Sequence, residues 1–453
     1  MNDAYHIDDS IAAPATARGR GAVAVIRTSG SECVEMVSRV FSRPDVLLKS
    51  KGYRVHYGWI NDFSGKPVDE VLVTVFRAPA SYTGEDSVEI SCHGGPAVVD
   101  RILQVLKDAG FRSASPGEFT FRAFSNGKMD LTRAEAVREI IDSRTEKARA
   151  LALSRLSGAV SAVIDEAKDA VRHQAAAAAL ALDYAEDETE DVPLEAEGIR
   201  KASLSLKALI GTWHTGRLFR DGLRVTLAGP ANAGKSSLFN LFLREERSIV
   251  AEVPGTTRDW VEAWLNLDGI PLLLADTAGL RSDTADQVEA EGIRRTRRLI
   301  EASDIVVLVA DGSGSLTQLA LLEQEGRQLA EGKLLRVWNK ADLGNTPPEG
   351  WIPVSALNGQ GFKALEKAVR DMALSGESMP DDGAPVIDSM RQKNLLEQAA
   401  AAMDRFAEGV GRVSPDLLAE DLRDALDALG ELTGEVTRED ILETLFSEFC
   451  VGK

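Results

Sequence analysis

The 453-residue chain has few cysteines, no long apolar run and no excess of positive charge. Its three cysteines, Cys33, Cys92 and Cys450, are too few for a disulfide framework, which favours a reducing cytosol. No apolar stretch reaches membrane-spanning length and no charged-then-apolar leader precedes the first predicted strand, so we expect a soluble cytoplasmic protein with no membrane partner. The net charge of −19 argues against broad electrostatic capture of nucleic acid and still allows a local basic site.

Four segments of the chain differ in their residue pattern, and a chain of this length favours more than one domain. Residues 1–124 have the pattern of mixed α/β structure, and residues 125–218 that of long amphipathic helices. Residues 219–375 alternate apolar strands with helices, and residues 376–453 return to helices. We therefore predict a multidomain α/β and α protein, in which a domain with a mostly parallel sheet is inserted into a helical domain.

Individual elements follow from the periodicity of apolar residues. The predicted strands are residues 22–27, 68–76 and 87–92 in the first segment, and 224–228, 272–275, 305–310, 334–339 and 351–354 in the third. Helices are predicted for residues 97–109, for an Ala-rich stretch at 175–182, and for about 194–218. Residues 116–120, which contain a proline and a glycine, are predicted to form a loop.

A phosphate-binding motif follows the first strand of the inserted domain. Residues 229–236 read G-P-A-N-A-G-K-S, between an apolar strand and a predicted helix. Gly229 and Gly234 let the backbone turn so that successive N–H groups point into one concavity, at the positive end of the helix dipole. Lys235 is placed to reach the β and γ phosphates, and the Ser236 hydroxyl to bind Mg²⁺. The motif predicts a nucleoside triphosphate site.

Four more motifs follow in the order expected of a guanine nucleotide site. They read G-T-T-R-D at 255–259, D-T-A-G at 276–279, N-K-A-D at 339–342 and S-A-L at 355–357. Asp276 ends a strand where a second-shell Mg²⁺ ligand is needed, and the carboxylate of Asp342 suits the N1–H and N2–H₂ edge of guanine. Leu357 stands where GTPases often have lysine. Leu280 replaces the glutamine that orients water in Ras-like proteins, so hydrolysis needs another residue.

These motifs, together with S-Y-T-G-E-D, C-H-G-G-P, P-G-E-F-T-F-R-A-F and a final F-C-V-G-K, resemble the tRNA modification GTPase family MnmE, also called TrmE. The resemblance covers the whole chain. It implies an N-terminal folate-binding-like and dimerisation domain (1–124), a discontinuous helical domain (125–218 and 376–453) and a Ras-like P-loop G domain (219–375). It also implies a K⁺-dependent homodimeric GTPase. With an FAD-containing MnmG-type partner, in a heterotetramer, this enzyme modifies C5 of the wobble uridine of certain tRNAs with an aminomethyl or carboxymethylaminomethyl group from a folate donor.

The resemblance also implies site residues. The GTP-binding residues are Asn232, Ala233, Gly234, Lys235, Ser236, Ser237, Ala251, Glu252, Val253, Pro254, Gly255, Thr256, Thr257, Asp276, Thr277, Ala278, Gly279, Asn339, Lys340, Ala341, Asp342, Ser355, Ala356 and Leu357. K⁺ is expected at Asn232, Ala251, Val253 and Thr256, and Mg²⁺ at Ser236 and Thr257. The ligands of 5-formyltetrahydrofolate, or a related folate, are expected to be Arg27, Glu89, Lys128 and Lys453. Glu289 is the expected general base acting through water. Glu291 is the second choice, because this chain has one extra residue between Leu280 and Glu289.

Two questions stay open from the sequence. The Cys450 thiol is either a nucleophile or acid/base activated by a nearby cation, or an inert thiol near the chain end. The protein is either an enzyme whose GTP hydrolysis drives tRNA modification, or a regulatory switch that only binds partners. A folate site favours the enzyme, because a switch has no use for one.

Overall fold

The computed structural model describes residues 9–183, 194–244, 261–276, 298–313 and 332–452. The chain forms two compact units: Met1–Arg138, Val171–Val192 and Val413–Lys453 make the first, and Glu139–Ala170 and Pro193–Arg412 make the second. The boundaries of these units differ from those of the four segments proposed from the sequence, and the division into those segments stays a prediction. No helix in the described ranges has both the length and the apolar character needed to cross a membrane.

A six-stranded sheet forms the centre of the first unit. Its strands are β1 (Ile11–Pro14), β2 (Val23–Ser29), β3 (Arg54–Asn61), β4 (Pro67–Phe76), β5 (Ser87–His93) and β6 (Arg112–Ser113). The order is β3-β4-β5-β2-β1-β6, with β1 and β6 parallel and the other neighbours antiparallel. In β4 every second residue, Val71, Val73 and Val75, is buried, which is the alternation of a sheet with one face on a core.

Helices from both ends of the chain belong to this unit. They are α1 (Cys33–Val40), α2 (Pro44–Leu48), α3 (Pro96–Asp108), α4 (Glu118–Ser125), α13 (Pro415–Thr433) and α14 (Glu439–Ser447). Cys33 and Cys92 lie in the core of the sheet and its helices. Burial raises the pKa of the Cys33 thiol, and it raises that of Cys92 to about 11, so both stay protonated at neutral pH.

The predicted loop at residues 116–120 is wrong, because α4 begins at Glu118. Gly117 precedes the helix with φ +69, and the carboxylate of Glu118 accepts a hydrogen bond from the Ser115 N–H at 2.8 Å. Glu118 also pairs with Arg122 one turn later at 3.0 Å and with Arg112 at 2.5 Å. Glu118 and Arg122 are fully buried, so this ion network, rather than local helix propensity, holds the helix start.

The second unit has its own six-stranded sheet. Its strands are β7 (Leu223–Ala228), β8 (Val261–Leu267), β9 (Ile270–Asp276), β10 (Ile305–Asp311), β11 (Leu334–Asn339) and β12 (Ile352–Val354). The order is β12-β11-β10-β7-β9-β8, and only the β8–β9 pair is antiparallel. The mostly parallel sheet is therefore confirmed, as is the multidomain α/β and α fold, while β8 was not predicted.

Helices α10 (Lys235–Arg244) and α11 (Phe362–Leu374) pack on this sheet, and α8 (Ala196–Gly211) packs along α12 (Met390–Gly409). The single helix predicted for 194–218 is two, because α8 ends before α9 (Trp213–Asp221) begins. Thr212 lies at the joint, where its hydroxyl donates to Leu209 O at 2.7 Å and accepts from Ile387 N at 3.1 Å.

Three helices lie between α4 and α8 along the chain, namely α5 (Leu131–Asp142), α6 (Glu146–Leu156) and α7 (Ala159–Asp183). The Ala-rich helix predicted at residues 175–182 is part of α7. Within the second unit, α6 is fixed to the sheet. The Thr145 hydroxyl donates to Gly269 O at 2.6 Å, the Arg144 guanidinium lies 3.9 Å from the centre of the Trp264 ring, and Ala148 packs in the core under the sheet. The nucleotide motifs are thus on a sheet anchored to the helices around it.

Candidate active site

The phosphate-binding loop joins β7 to α10 at the carboxyl edge of the sheet. Its glycines are required by backbone angle, since Gly229 has φ +140 and Gly234 has φ +89. They are also required by close packing. A Cβ on Gly229 would lie 2.2 Å from Val309 O, and one on Gly234 would lie 2.1 Å from Asn339 Nδ2. The loop is therefore pressed against the ends of β10 and β11, which the sequence pattern alone did not reveal.

Lys235 opens α10 and folds back over the loop. Its Nζ donates to Gly229 O at 2.8 Å and to Pro230 O at 2.9 Å, and the side chain is buried. Ser236, in the first turn of the helix, is exposed, and so is Asn232 in the loop, which has φ +63. The helix N-terminus thus presents a positive dipole end, an ammonium group and an exposed hydroxyl at one place, which is chemistry suited to phosphate.

Asn339, the last residue of β11, connects two loops of the site. Its Nδ2 donates to Ala233 O at 2.7 Å, and its Oδ1 accepts from the Ala356 N–H at 3.0 Å. The side chain is 2% exposed. One buried amide therefore fixes the phosphate loop relative to the loop at 355–357. Asn339 was predicted as a nucleotide contact, and the structure gives it this positioning role.

Lys340, next to it, has φ +63, and its ammonium pairs with Asp311 Oδ2 at 2.6 Å. Burial would raise the pKa of Asp311, but hydrogen bonds from Lys340 and Ser313 outweigh it and hold the pKa below the ordinary 3.8. Asp311 ends β10 at the same sheet edge as the predicted residues. Asp311 is not among the predicted site residues, although a carboxylate at the end of a strand beside the phosphate-loop strand was the available signal.

A cavity of about 350 Å³ lies beside these loops. Its lining residues are Gly234, Ser237, Asn240, Arg244, Asn339, Lys340, Asp342, Leu343, Ala356 and Leu357. Asp342 belongs to the short 3-10 helix Ala341–Leu343, and its Oδ1 accepts from the buried Ser355 hydroxyl at 2.5 Å. Leu357 is 83% exposed, so an apolar side chain faces the cavity where GTPases often have lysine. The structure thus combines a fixed carboxylate with apolar walls, which is suited to a purine base.

Asp276 is 3% exposed at the end of β9, opposite Leu227 in β7. It therefore lies beside the strand that leads into the phosphate loop. The described residues contain no cluster of three or more His, Cys, Asp and Glu side chains that could hold a metal ion. The predicted Mg²⁺ site depends instead on hydroxyl and phosphate oxygens, a donor set that fits the exposed Ser236.

Several predicted residues lie outside the described part of the chain and stay predictions. They are Ala251, Glu252, Val253, Pro254, Gly255, Thr256, Thr257, Thr277, Ala278, Gly279, Glu289, the second choice Glu291, and Lys453.

The first unit brings together part of the predicted folate set. Arg27 donates to Glu89 Oε1 from Nε at 2.9 Å and from Nη2 at 2.8 Å, and its Nη1 lies 3.4 Å from Gly452 O. The rings of Tyr82 and Phe119 lie 5.4 and 5.9 Å from this guanidinium. The chain end thus reaches Arg27, and two aromatic rings that were not predicted border the ion pair.

The structure also describes Lys128, a predicted folate ligand, and Cys450, the predicted reactive thiol. Lys128 is exposed and donates from Nζ to Pro79 O at 2.8 Å, on the loop that leads to Tyr82. Cys450 is exposed, and its carbonyl accepts from the Gly117 N–H at 3.4 Å. Neither of these two described residues forms a hydrogen bond or an ion pair with Arg27.

Comparisons with known proteins cover nearly the whole chain. The family model described as MnmE helical domain matches residues 131–450, and the model described as GTP-binding protein TrmE N-terminus matches residues 10–128. The chain is 42% identical over 468 residues to the tRNA modification GTPase MnmE of Treponema denticola, with 99% of both chains covered. It is 40% identical over 474 residues to the protein of the same name from Moorella thermoacetica, with 99% of this chain and 100% of the relative covered. Among solved structures, the G domain of the T. maritima FeoB iron transporter is 26% identical, covers 33% of this chain and 98% of its own, and gives a TM-score of 0.27.

Proposed function

The chain belongs to the MnmE family of tRNA modification GTPases, and we propose that its GTP hydrolysis drives modification at C5 of the wobble uridine of certain tRNAs. The protein is thus a GTP hydrolase linked to tRNA modification. In the proposed reaction an FAD-containing MnmG-type protein is the partner, and a folate such as 5-formyltetrahydrofolate is the one-carbon donor. The proposed working form is a cytoplasmic homodimer that joins the partner in a heterotetramer.

The Asn339 bridge is the observation that carries the GTPase part of this proposal. Because it holds the phosphate loop and the 355–357 loop together, a nucleotide bound to one meets a fixed geometry at the other. Lys235 would exchange its bonds to loop carbonyls for the β and γ phosphates, while Asp342 would accept from the guanine N1–H and N2–H₂. An adenine base lacks both donors at that edge, so the site favours guanine.

Some of the residues proposed to hold Mg²⁺ and K⁺ are described by the structure, and the others lie outside the described residues. Ser236 and Thr257 would hold Mg²⁺, and Asn232 with Ala251, Val253 and Thr256 would hold K⁺. When bound, these cations supply positive charge beside the phosphates. The exposed hydroxyl of Ser236 and the exposed amide of Asn232 support the proposal from this side of the site. Glu289 is proposed as the base that orients water, because Leu280 has no hydrogen-bonding group.

The Arg27 cluster supports the folate part of the proposal. Glu89 Oε1 is occupied by Arg27, and its other carboxylate oxygen suits the amino edge of a pterin. The rings of Tyr82 and Phe119 offer faces for a flat heterocycle to stack against. Lys128 and Lys453 are proposed to bind the carboxylates of the folate tail. The exposed Cys450, two residues from Gly452, is proposed as the thiol that takes part in the modification chemistry, with an inert thiol as the alternative.

Reconstitution tests the proposed function directly. The full chain is incubated with the FAD-containing partner, tRNA, GTP, K⁺, Mg²⁺ and 5-formyltetrahydrofolate, and the tRNA is digested for nucleoside mass spectrometry. We expect a C5-modified wobble uridine that is lost when GTP, K⁺ or the folate is left out. GTP hydrolysis with unchanged tRNA in the complete mixture would instead support the regulatory switch. A modified nucleoside that still forms without folate would reject the donor.

A further inference from the structure

One face of helix α10 lines the nucleotide cavity. Ser237, Asn240 and Arg244 are three and then four residues apart, so they share a helix face, and all three line the cavity. An α-helix rises about 1.5 Å per residue, which places Arg244 roughly 13 Å along the axis from Lys235. The helix therefore runs from the phosphate end of the site at Lys235 to the base end at Arg244.

Arg244 lies among the residues that would surround the base. Asp342, Leu343 and Leu357 line the same cavity, and the two leucines are 56% and 83% exposed. The Arg244 side chain is exposed, and among the described residues it forms neither a hydrogen bond nor an ion pair. No motif of the family resemblance contains Arg244, and none of the predicted roles uses it.

We propose that the Arg244 guanidinium stacks on the face of the guanine base whose edge Asp342 binds. The inference rests on the proposed guanine nucleotide site and adds a residue that controls how long the nucleotide stays bound. A guanidinium is planar and weakly hydrated, so it stacks on aromatic faces better than an ammonium group does. Since every purine has such a face, Arg244 strengthens binding without choosing the base, while Asp342 makes the choice.

Three substitutions of Arg244 separate the possible origins of the effect. Arg244→Ala removes both the charge and the plane, Arg244→Lys keeps the charge, and Arg244→Gln keeps a planar amide. At an exposed site, a cation over an aromatic face is expected to change affinity by about three- to fivefold. We expect calorimetry to show that loss of GDP affinity for Arg244→Ala and a smaller loss for Arg244→Gln. Arg244→Lys also keeps a positive charge in the last helical turn, so it controls for loss of helix stability.

Displacement kinetics and nucleotide length provide the decisive readouts. Stacking predicts faster GDP release with little change in the rate of binding, and an equal fold-loss for GMP, GDP and GTP. A loss that grows with each added phosphate would mean that Arg244 attracts phosphates, and it would overturn the proposal. Unchanged GDP affinity in the Arg244→Ala protein, with an unchanged melting temperature, would overturn it as well.

The Asp342→Asn background distinguishes failure of this inference from failure of the guanine site. Asp342→Asn is expected to lose GDP and gain XDP, because the substituent at position 2 of the base changes from donor to acceptor. In the Asp342→Asn protein, adding Arg244→Ala should lower the affinity for XDP by about three- to fivefold, the same loss of GDP affinity that Arg244→Ala causes on its own. If Asp342→Asn fails to gain XDP, the guanine assignment is wrong. If it gains XDP and Arg244→Ala changes nothing, only the stacking role is wrong.

Discussion

Replacing Asn339 with alanine tests whether the two halves of the nucleotide site are held together by one side chain. The substitution removes the donor to Ala233 O and the acceptor for the Ala356 N–H. Ala233 is 0% exposed and Ala356 is 9% exposed, so water does not readily replace either bond. The cost is therefore that of two buried polar groups left without partners.

Each such group costs about 1–3 kcal/mol, so the two together lower the free energy of unfolding by about 2–6 kcal/mol. For a domain of this size, even the smaller figure lowers the melting temperature by roughly 4–8 °C. Nucleotide binding weakens as well, because the complex needs both loops in one fixed arrangement that the free variant no longer holds before binding. If about 2 kcal/mol of the cost appears only in the complex, the Kd for GDP rises about 30-fold.

Differential scanning calorimetry without nucleotide and titration calorimetry with GDP measure the two effects. Asn358→Ala is the matched control, because this exposed asparagine lies in the same loop and, within the described part of the chain, its side chain accepts only from the local Gln360 N–H at 3.0 Å. Surface changes of that kind stay within about 0.5 kcal/mol. Equal melting temperatures and equal GDP affinities for the two variants would refute the bridging role of Asn339.

Three other outcomes follow from the geometry. Asp311→Asn should lower the free energy of unfolding measured in urea at pH 7 by about 0.2–1 kcal/mol, since the charged Asp311 pairs with Lys340. This difference from the unmodified protein should disappear as pH falls below 3.8 through the lowered pKa of Asp311, and a difference independent of pH would contradict the pairing. Deleting residues 451–453 removes Gly452 O from Arg27 and the predicted Lys453 contact, so calorimetry should show weaker 5-formyltetrahydrofolate binding with GDP affinity kept; equal folate affinity would reject the site. Asn232→Ala should bind GTP yet hydrolyse it slowly at every K⁺ concentration, and turnover of the unmodified protein in Na⁺ equal to that in K⁺ would reject the cation role.

The elements around the phosphate loop were predictable because their signals are local. Strands β7, β9, β10 and β11 are short apolar runs, and β7, β9 and β11 lead directly into a nucleotide-binding motif. The structure has all four strands within two residues of the prediction. Strand β8 was missed although a local signal existed. Its residues alternate in character, and the Asp268-Gly269 turn that joins it to β9 is typical of a hairpin, with φ +49 and +96.

Other features depend on contacts between distant residues, and no local pattern reports them. The start of α4 is held by Glu118, which is buried against Arg112 and Arg122. The position of Asn339 was predicted, but its bonds to residues 106 and 17 positions away appear only in the folded chain. Likewise, the need for glycine at 234 follows from the Asn339 amide as much as from the backbone angle.

The contact between Arg27 and Gly452 has a consequence for the order of assembly. The two residues are 425 positions apart, and Gly452 packs so closely that a Cβ there would lie 2.2 Å from Pro14 O. At a synthesis rate of about 5–20 residues per second, roughly 20 to 90 s separate their appearance on the ribosome. Strand β2 therefore emerges long before the segment around Gly452, and this contact forms only after that segment has been made. Until translation has passed α14, the nascent amino-terminal sheet lacks the segment around Gly452 that packs against Pro14 and Arg27.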